Sequence, residues 1–323
     1  MKTSLHPACR TVCGVLVALA CLVAPAQAQN FPAKPLRMLV GFAAGGSIDA
    51  TGRYYAQRVS APLGQTVVVE NRPGAAAQLA VQQLIAAAPD GYNILLMTAG
   101  TTIASAKPQP PFDVRRDIRP VAGLVAGPLA FYVNPALPVK TLGEFIAYAK
   151  ARPGQLNYAS SGMGSLQNLI FELLSQRVGM QLVHVPFKGS GDSVTAVIGN
   201  QIHIGMDTLS ITRGQADGGK LRLLALTTAR SFDGVPGMTE AGISAFDFPS
   251  WSGIGAPART PKNVVDALNA AFNAVSNDAE SKAHFAKLSQ YTLSGPPEDF
   301  GRVLANETEV WSKLIQSLNM KFE

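Results

Sequence analysis

Short apolar runs alternate with segments of helical pattern along the first third of this chain. Three such runs, at 36–40, 67–69 and 93–97, are separated by helical patterns at 48–60 and 75–88. Strands that alternate with helices of this length are typical of βαβ units, in which helices cover a parallel sheet. The alternation therefore predicts an α/β fold with parallel strands.

The alternation stops between residues 101 and 120 and then resumes. Four prolines (Pro108, Pro110, Pro111 and Pro120) predict a loop there, because proline does not fit inside a helix. Extended runs at 121–125 and Leu129–Val133 follow, separated by Gly127 and Pro128, and we place a domain boundary between them. A second series of strands and helices then continues to about residue 226.

The last quarter of the chain lacks this alternation. An irregular stretch with prolines at 236, 249, 257 and 261 leads into a helical tail without strands. Such a tail has no sheet of its own, so we expect it to pack back on the first unit. The sequence predicts two α/β lobes joined by two crossover segments: a discontinuous first domain of residues 29–127 and 249–323, and a second domain of residues 128–248.

The first 28 residues have the pattern of an export signal. Lys2 and Arg10 precede an apolar stretch at 11–24 that is too short to span a membrane, and the small-x-small pattern predicts cleavage after Ala28. A lipoprotein signal at Cys21 fits less well. All three cysteines lie in this segment, so the mature chain has no disulfide and no thiolate nucleophile. We expect an exported protein.

The charge of the chain is mild and spread out. A net charge of +6 over 323 residues, with no Lys/Arg run, argues against nucleic acid as a partner. A gently positive surface suits the capture of small anions. We expect a monomer.

Three loops share one layout, a strand followed by small or hydroxyl residues and then a helix. They are 42–47, 160–165 and 188–190. In open α/β sheets such loops lie at the carboxyl ends of strands, where ligands bind. Free N–H groups at helix starts, together with hydroxyls, suit a carboxylate. The sequence therefore predicts a carboxylate site in a cleft, to which both lobes contribute. Lys188 faces either the cleft or solvent, and the pattern favours neither.

Other chemistry has little support in the sequence. His184 and His203 alternate with apolar residues in strands, which is typical of structural histidines. No spacing of histidines or carboxylates indicates a metal, no cofactor motif is present, and the serines are not in a G-x-S-x-G motif. For Asp49 we favour first-turn dipole stabilisation, and for Asp207 a helix cap that also accepts from a ligand amine or hydroxyl. We therefore predict no catalytic residues, no metal and no cofactor.

The motifs taken together resemble one family. In order, they are an export signal, Phe42-Ala43-Ala44-Gly45-Gly46 with Asp49, Glu70-Asn71-Arg72-Pro73-Gly74, Ala88-Pro89-Asp90-Gly91-Tyr92, the 160–165 loop, Pro186-Phe187-Lys188-Gly189-Ser190-Gly191, and Gly205-Met206-Asp207. This combination is similar to the Bug family, the TctC-like periplasmic solute receptors of tripartite tricarboxylate transporters. The resemblance covers essentially the whole mature chain.

The resemblance implies a type II periplasmic binding protein, two α/β lobes that close on a ligand in the cleft between them. Family members grip one carboxylate like a pincer, through ordered waters at the first loop and directly at the serine-rich loop. The membrane components of such a transporter are the implied partners. The implied ligand-binding residues, with those from the loop analysis, are Phe42, Ala44, Gly45, Gly46, Asp49, Gly74, Ala75, Ala76, Ser160, Ser161, Gly164, Ser165, Lys188, Gly189 and Asp207.

Because the sequence departs from the family pattern in two places, it does not determine the identity of the ligand. Gly74-Ala75-Ala76-Ala77 stands where Gly-Ala-Gly-Gly is frequent after Arg-Pro, and Leu166-Gln167-Asn168 stands where a hydroxyl residue and a histidine are common. A less polar monocarboxylate or aromatic acid fits as well as citrate. A secreted enzyme acting on small organic acids and a ligand receptor for a membrane sensor kinase remain as alternatives.

Overall fold

The computed structural model describes residues 31–74, 77–187 and 190–320. Within these ranges the chain forms two sheets, one in each of two lobes, with helices packed on their faces. The predicted export signal and four predicted site residues (Ala75, Ala76, Lys188 and Gly189) lie outside the described residues.

The first sheet has six strands among the described residues, in the order β11–β4–β10–β3–β1–β2. Strands β1 and β2 and strands β1 and β3 pair in parallel, whereas β10 is antiparallel to both β3 and β4. The strands are β1 (Leu36–Val40), β2 (Val67–Asn71), β3 (Asn93–Thr98), β4 (Ile118–Gly127), β10 (Ser250–Pro257) and β11 (Tyr291–Thr292).

The second sheet has five strands in the described part of the chain, in the order β7–β6–β8–β5–β9. Its β6 pairs in parallel with β7 and β8, and β5 runs antiparallel to its neighbours β8 and β9. The strands are β5 (Leu129–Val133), β6 (Leu156–Ser160), β7 (Leu182–Pro186), β8 (Ile204–Thr208) and β9 (Arg222–Leu226).

The helices flank both sheets and bury apolar residues against them. In chain order they are α1 (Ser47–Leu63), α2 (Gln78–Ile85), α3 (Ala99–Ser105), α4 (Val114–Asp117), α5 (Leu142–Lys150), α6 (Leu166–Val178), α7 (Ser190–Ile198), α8 (Leu209–Asp217), α9 (Lys262–Asn277), α10 (Ala279–Ala286) and α11 (Pro297–Ser317). No helix within the described ranges is both long and apolar enough to cross a membrane.

The parallel-sheet prediction is wrong in one respect, because both sheets are mixed. In the first lobe the antiparallel strands are the two-residue β11 and β10, which lies in a stretch that we predicted to be irregular. The glycines of this stretch led us to predict an irregular segment, but two of them are required by close packing inside the sheet. A Cβ on Gly253 would lie 2.3 Å from Phe300 Cζ, and one on Gly255 would lie 2.5 Å from Met97 Sδ. Only glycine fits at these positions in a buried central strand.

The predicted loop at 101–120 is also partly wrong. Helix α3 occupies Ala99–Ser105, and the Thr98 and Thr101 side chains close a capping box at its start. Strand β4 begins at Ile118 and includes Pro120, at a register shift opposite Gly255. Proline is tolerated there because a bulge already interrupts the ladder.

The two crossovers between the lobes lie side by side. Strand β4 ends in the first sheet at Gly127, and β5 begins in the second sheet after Pro128 alone. The buried Thr227 Oγ1 accepts from Leu129 N at 3.2 Å and donates to Phe248 O at 2.8 Å, so it joins the first crossover to the second. The connection between the lobes is therefore a hydrogen-bonded pair of segments.

The helical tail contacts both lobes. Phe300 and Leu304, early in α11, pack in a first-lobe core cluster, whereas Trp311, Leu314 and Ile315 pack in the second-lobe core. We expected the tail to pack back on the first unit, and α9 and the start of α11 do so, whereas the last turns of α11 pack on the second lobe. The tail also contains the short strand β11, which we did not predict.

Candidate functional site

A cavity of about 450 Å³ lies between the lobes. Five of the predicted site residues line it: Phe42, Ser161, Gly164, Ser165 and Asp207. The carboxyl ends of β1 and β3 supply the first-lobe wall, and those of β6 and β8 supply the second-lobe wall, as expected for open α/β sheets. We call this cavity the cleft.

We call the loop at 160–165 the serine loop. Its first residue, Ser160, stabilises the loop conformation. This residue is buried, and its hydroxyl donates to Gly162 O at 3.0 Å and accepts from Gly162 N at 3.1 Å. The hydroxyl also lies 2.7 Å from Nε2 of His184. Burial lowers the pKa of His184, so the imidazole is neutral and acts as a structural partner. Ser160 does not line the cleft.

Two other serines of the loop do face the cleft. Ser161 Oγ donates to Oε1 of Gln167 at 2.9 Å, and Gln167 lines the cleft as well. Ser165 caps α6 by accepting from Asn168 N at 3.2 Å, which leaves the proton of its hydroxyl for another acceptor. The hydroxyls of Ser161 and Ser165 therefore stand at the start of a 13-residue helix, where the dipole favours an anion.

A buried asparagine holds the serine loop against the core. Asn168 Oδ1 accepts from Gly164 N at 2.9 Å, and Nδ2 donates to the Tyr158 hydroxyl at 2.7 Å. That hydroxyl in turn donates to Glu172 at 2.6 Å, and burial raises the pKa of Tyr158. Because the N–H of Gly164 is already used by Asn168, Gly164 contributes its shape rather than a free donor.

The first loop, residues 42–46, is fastened by Asp49. Its Oδ2 accepts from Gly45 N and from Arg53 Nε, both at 2.9 Å, and its Oδ1 accepts from Asn71 Nδ2 at 2.8 Å. These bonds, led by the one from Arg53, lower the pKa of Asp49 from 3.8 to about 2, against the opposing effect of burial. Asp49 is buried beneath the loop and does not line the cleft.

Of the predicted 42–47 loop, Phe42 and Ser47, the first residue of α1, reach the cleft. Ala44, Gly45 and Gly46 are exposed but do not line it, and neither does Gly74. Gly74 has a φ of 133°, and a Cβ there would lie 2.6 Å from Leu79 Cδ1, so its role is conformational.

Asp207, the next-to-last residue of β8, lies in the wall of the cleft. It is 2 % exposed, and its Oδ1 accepts from the backbone N of Thr208, the residue that precedes α8, at 2.7 Å. Its negative charge, together with burial as the larger cause, raises the pKa of Tyr132. Asp207 thus has a structural role at the start of α8 and a position next to any ligand.

Sequence reasoning missed several residues of the cleft. Thr98, Ala99 and Gly100 line it at the start of α3, together with Gln78 and Lys107. The T-x-x-T capping pattern at Thr98 and Thr101 was a signal that could have placed a helix start there. Lys107, in the segment that we treated as a proline-rich loop, and Asp207 are the charged residues among the described cleft-lining residues.

The histidines have structural partners, and no metal centre is formed by the described residues. His203 Nδ1 lies 2.7 Å from Asn157 Oδ1, and burial lowers its pKa. Across the described ranges, no group of three or more His, Cys, Asp or Glu side chains is placed to hold a metal ion.

Comparisons with known proteins show which family the chain belongs to. Residues 52–320 match the model of the tripartite tricarboxylate transporter family receptor, TctC. A relative from Bordetella bronchiseptica is 35 % identical over 97 % of this chain and 94 % of its own length. BugT of Bordetella pertussis is 32 % identical, over 97 % and 98 %.

A solved structure of R. palustris Rpa4515 with adipate has a TM-score of 0.77 and 28 % identity, covering 89 % of this chain and 98 % of that one. This likeness, with the family match, confirms the predicted type II periplasmic binding protein fold and the resemblance to the Bug family. The chain belongs to the TctC family of periplasmic solute receptors that serve tripartite tricarboxylate transporters.

Proposed function

We propose that this receptor captures a small organic acid by holding its carboxylate at the serine loop. The observation that carries the proposal is the pair of serines at the start of α6, which line the cleft with hydroxyls able to donate to an anion. A carboxylate at this place would replace Gln167 as the acceptor for Ser161 and take the proton of Ser165. The adipate in the Rpa4515 structure supports this ligand class.

The opposite wall would complete the grip from the first lobe. Phe42 supplies an apolar contact, and Asp49 keeps the first loop in place. Charge-assisted hydrogen bonds contribute about 1.5–3 kcal/mol each, and a micromolar ligand needs about 8 kcal/mol net. Four or five polar contacts shared between the two lobes would reach that value after ordering costs.

The lobes would correspond to residues 29–127 with 249–323 and to residues 128–248, and they would close about the paired crossovers at Pro128 and Phe248. The different sheets of β4 and β5 support this division. The ligand would leave unaltered, as in the solute receptors of the family that this chain matches. We further propose export with cleavage after Ala28, a monomeric state, no nucleic-acid partner, and delivery of the ligand to the transporter's membrane components.

A thermal-shift screen of monocarboxylic, dicarboxylic, tricarboxylic and aromatic acids and acidic amino acids tests the proposal. Acids that bind the folded form raise Tm with concentration according to their occupancy. Each acid that binds is then incubated with the protein and recovered, and chemical conversion would favour the enzyme alternative. If no acid raises Tm while neutral sugars or amines do, the carboxylate assignment is wrong.

A further inference from the structure

A second cavity of about 240 Å³ opens beside the cleft, and we call it the bay. The two cavities share a wall of five residues: Ser47, Ile48, Thr208, Ile211 and Ser250. The bay then continues between α1, β10 and the end of α10, away from the serine loop. A molecule in the cleft could therefore extend into the bay past these shared residues.

The bay is largely apolar. Beyond the shared wall, Val125, Phe285 and Leu288 supply apolar surface. The polar residues Thr51, Ser210, His284 and Gln290 also line the bay, but polar atoms contribute the smaller part of its surface. Ile211 and Leu288 are 43 % and 42 % exposed, which is a large exposure for apolar side chains at the mouth of a cavity. Covering such surface is favourable by about 25 cal/mol for each Å² removed from water. An apolar group in the bay would gain this contribution.

One buried polar group in the wall of the bay lacks a partner. Ser252 is 2 % exposed, and no described residue forms a hydrogen bond with its hydroxyl. Ser252 lies on β10 opposite Thr98 of β3 and Val125 of β4, in the interior of the first sheet. A buried hydroxyl without a partner gains stability when a molecule in the bay supplies a hydrogen-bond acceptor or donor.

We propose that the bay is a second compartment of the ligand site, which takes the apolar end of an organic acid whose carboxylate lies at the serine loop. This inference rests on the proposed function. An apolar cavity of about 150 Å³ is enough to hold benzene, so the bay has room for a six-membered ring with a substituent. The ligand class is an acid with an alkyl or aryl body, and a hydroxyl or carbonyl at its far end would pair with Ser252.

Filling the bay tests the proposal without disturbing the core. Ala50 lines the bay from an exposed position in α1, so Ala50→Phe places a ring there. Ala270→Phe, at an exposed position of α9 in the same lobe, makes the same change away from both cavities and serves as the matched control. The probes are propionate, which is too short to reach the bay, 4-phenylbutanoate, and 4-(4-hydroxyphenyl)butanoate. Dissociation constants come from thermal-shift titration.

The proposal expects both aryl acids to bind the unmodified protein at least tenfold more tightly than propionate. Ala50→Phe should weaken the aryl acids at least tenfold and change propionate less than threefold, whereas Ala270→Phe should change none of them. Ser252→Ala should weaken the hydroxylated acid more than the phenyl acid. Equal weakening of the two aryl acids in that variant would show that Ser252 does not form a hydrogen bond with the far end of the ligand. It would overturn the role proposed for Ser252.

The outcomes distinguish a failure of the bay assignment from a failure of the proposed function. If acids bind but Ala50→Phe affects propionate and the aryl acids equally, the bay holds only water and the inference is overturned while the proposed function stands. If no acid of the probe set or of the wider screen binds, the proposed function fails and the bay assignment fails with it.

Discussion

Replacing Asp49 by alanine should loosen the first loop and destabilise the fold, although Asp49 does not touch the cleft. The change removes the acceptor for Gly45 N, Arg53 Nε and Asn71 Nδ2. The bond from Arg53 lowers the pKa of Asp49 most, but the Arg53 side chain is 52 % exposed, so solvent screens this ion pair and its contribution to stability is small. The charge-assisted bonds from Gly45 and Asn71 make the larger contribution, and rehydration of the exposed Gly45 N–H offsets part of it. We expect a loss of about 2 kcal/mol at pH 7.

The loss should depend on pH in a defined direction. The folded-state pKa of Asp49 is lowered from 3.8 to about 2, so its ionised form stabilises the protein above the ordinary pKa, and this stabilisation disappears as the pH falls towards 2. The difference between wild type and Asp49→Ala should shrink to about 1 kcal/mol or less near pH 2.5. Urea denaturation at both pH values measures it.

Asp266→Ala is the matched control. Asp266 forms an exposed ion pair with Lys262 four residues earlier, and its removal should change stability by less than about 0.5 kcal/mol. Calorimetry of a bound acid should show weaker affinity for Asp49→Ala, because the loop that it fastens is less ordered. Wild-type stability combined with complete loss of binding would refute this reasoning, since it would mean that Asp49 contacts the ligand directly.

Three further changes test other parts of the account. Asn168→Ala leaves Gly164 N and the Tyr158 hydroxyl without their partner, so calorimetry should show at least tenfold weaker acid binding and urea denaturation a loss of about 2 kcal/mol; unchanged affinity would contradict it. Thr227→Val breaks both side-chain bonds between the crossovers and should cost about 1–2 kcal/mol in urea denaturation, whereas wild-type stability would mean that these bonds do not join the lobes. Burial raises the pKa of Glu307, which accepts from Trp251 and Thr102, to about 7. The folded state therefore holds this proton between pH 4.5 and 7 while the unfolded state releases it, so stability falls as the pH rises through that window, by at most about 3 kcal/mol. Glu307→Gln should flatten this fall in Tm measured from pH 4 to 8, and an unchanged slope would show that another group causes it.

The fold was predictable where local pattern and burial agree. Leu36–Val40 and Leu129–Val133 read as strands because their apolar runs are short and bounded by turn residues, and both are strands. Strand β10 was not predictable in this way, since Gly253 and Gly255 signal a loop until the neighbouring Phe300 and Met97 side chains are known. Strand direction likewise depends on tertiary pairing, which the local pattern does not contain.

The candidate site was predictable to the level of loops. Ser161 and Ser165 lie in the cleft, but their neighbour Ser160 turns inward to His184, and no sequence rule separates the three. Gln78 and Lys107 were missed because they come from segments without a ligand-binding motif. Which side chain of a loop faces a cleft is set by backbone turns, such as the left-handed Gly164 with a φ of 71°, and these depend on contacts with Asn168.

The central claim is that the cleft recognises a carboxylate through the hydroxyls of Ser161 and Ser165 at the start of α6. The most direct measurement is calorimetric titration of the purified protein with the acid that binds most tightly in the thermal-shift screen. The same titration is made with its primary amide, which has nearly the same shape without the charge. The account predicts that the amide binds about a hundredfold more weakly, because two charge-assisted hydrogen bonds are replaced by weaker neutral contacts at a cost of about 1.4 kcal/mol each. Equal affinity for the acid and the amide would contradict it.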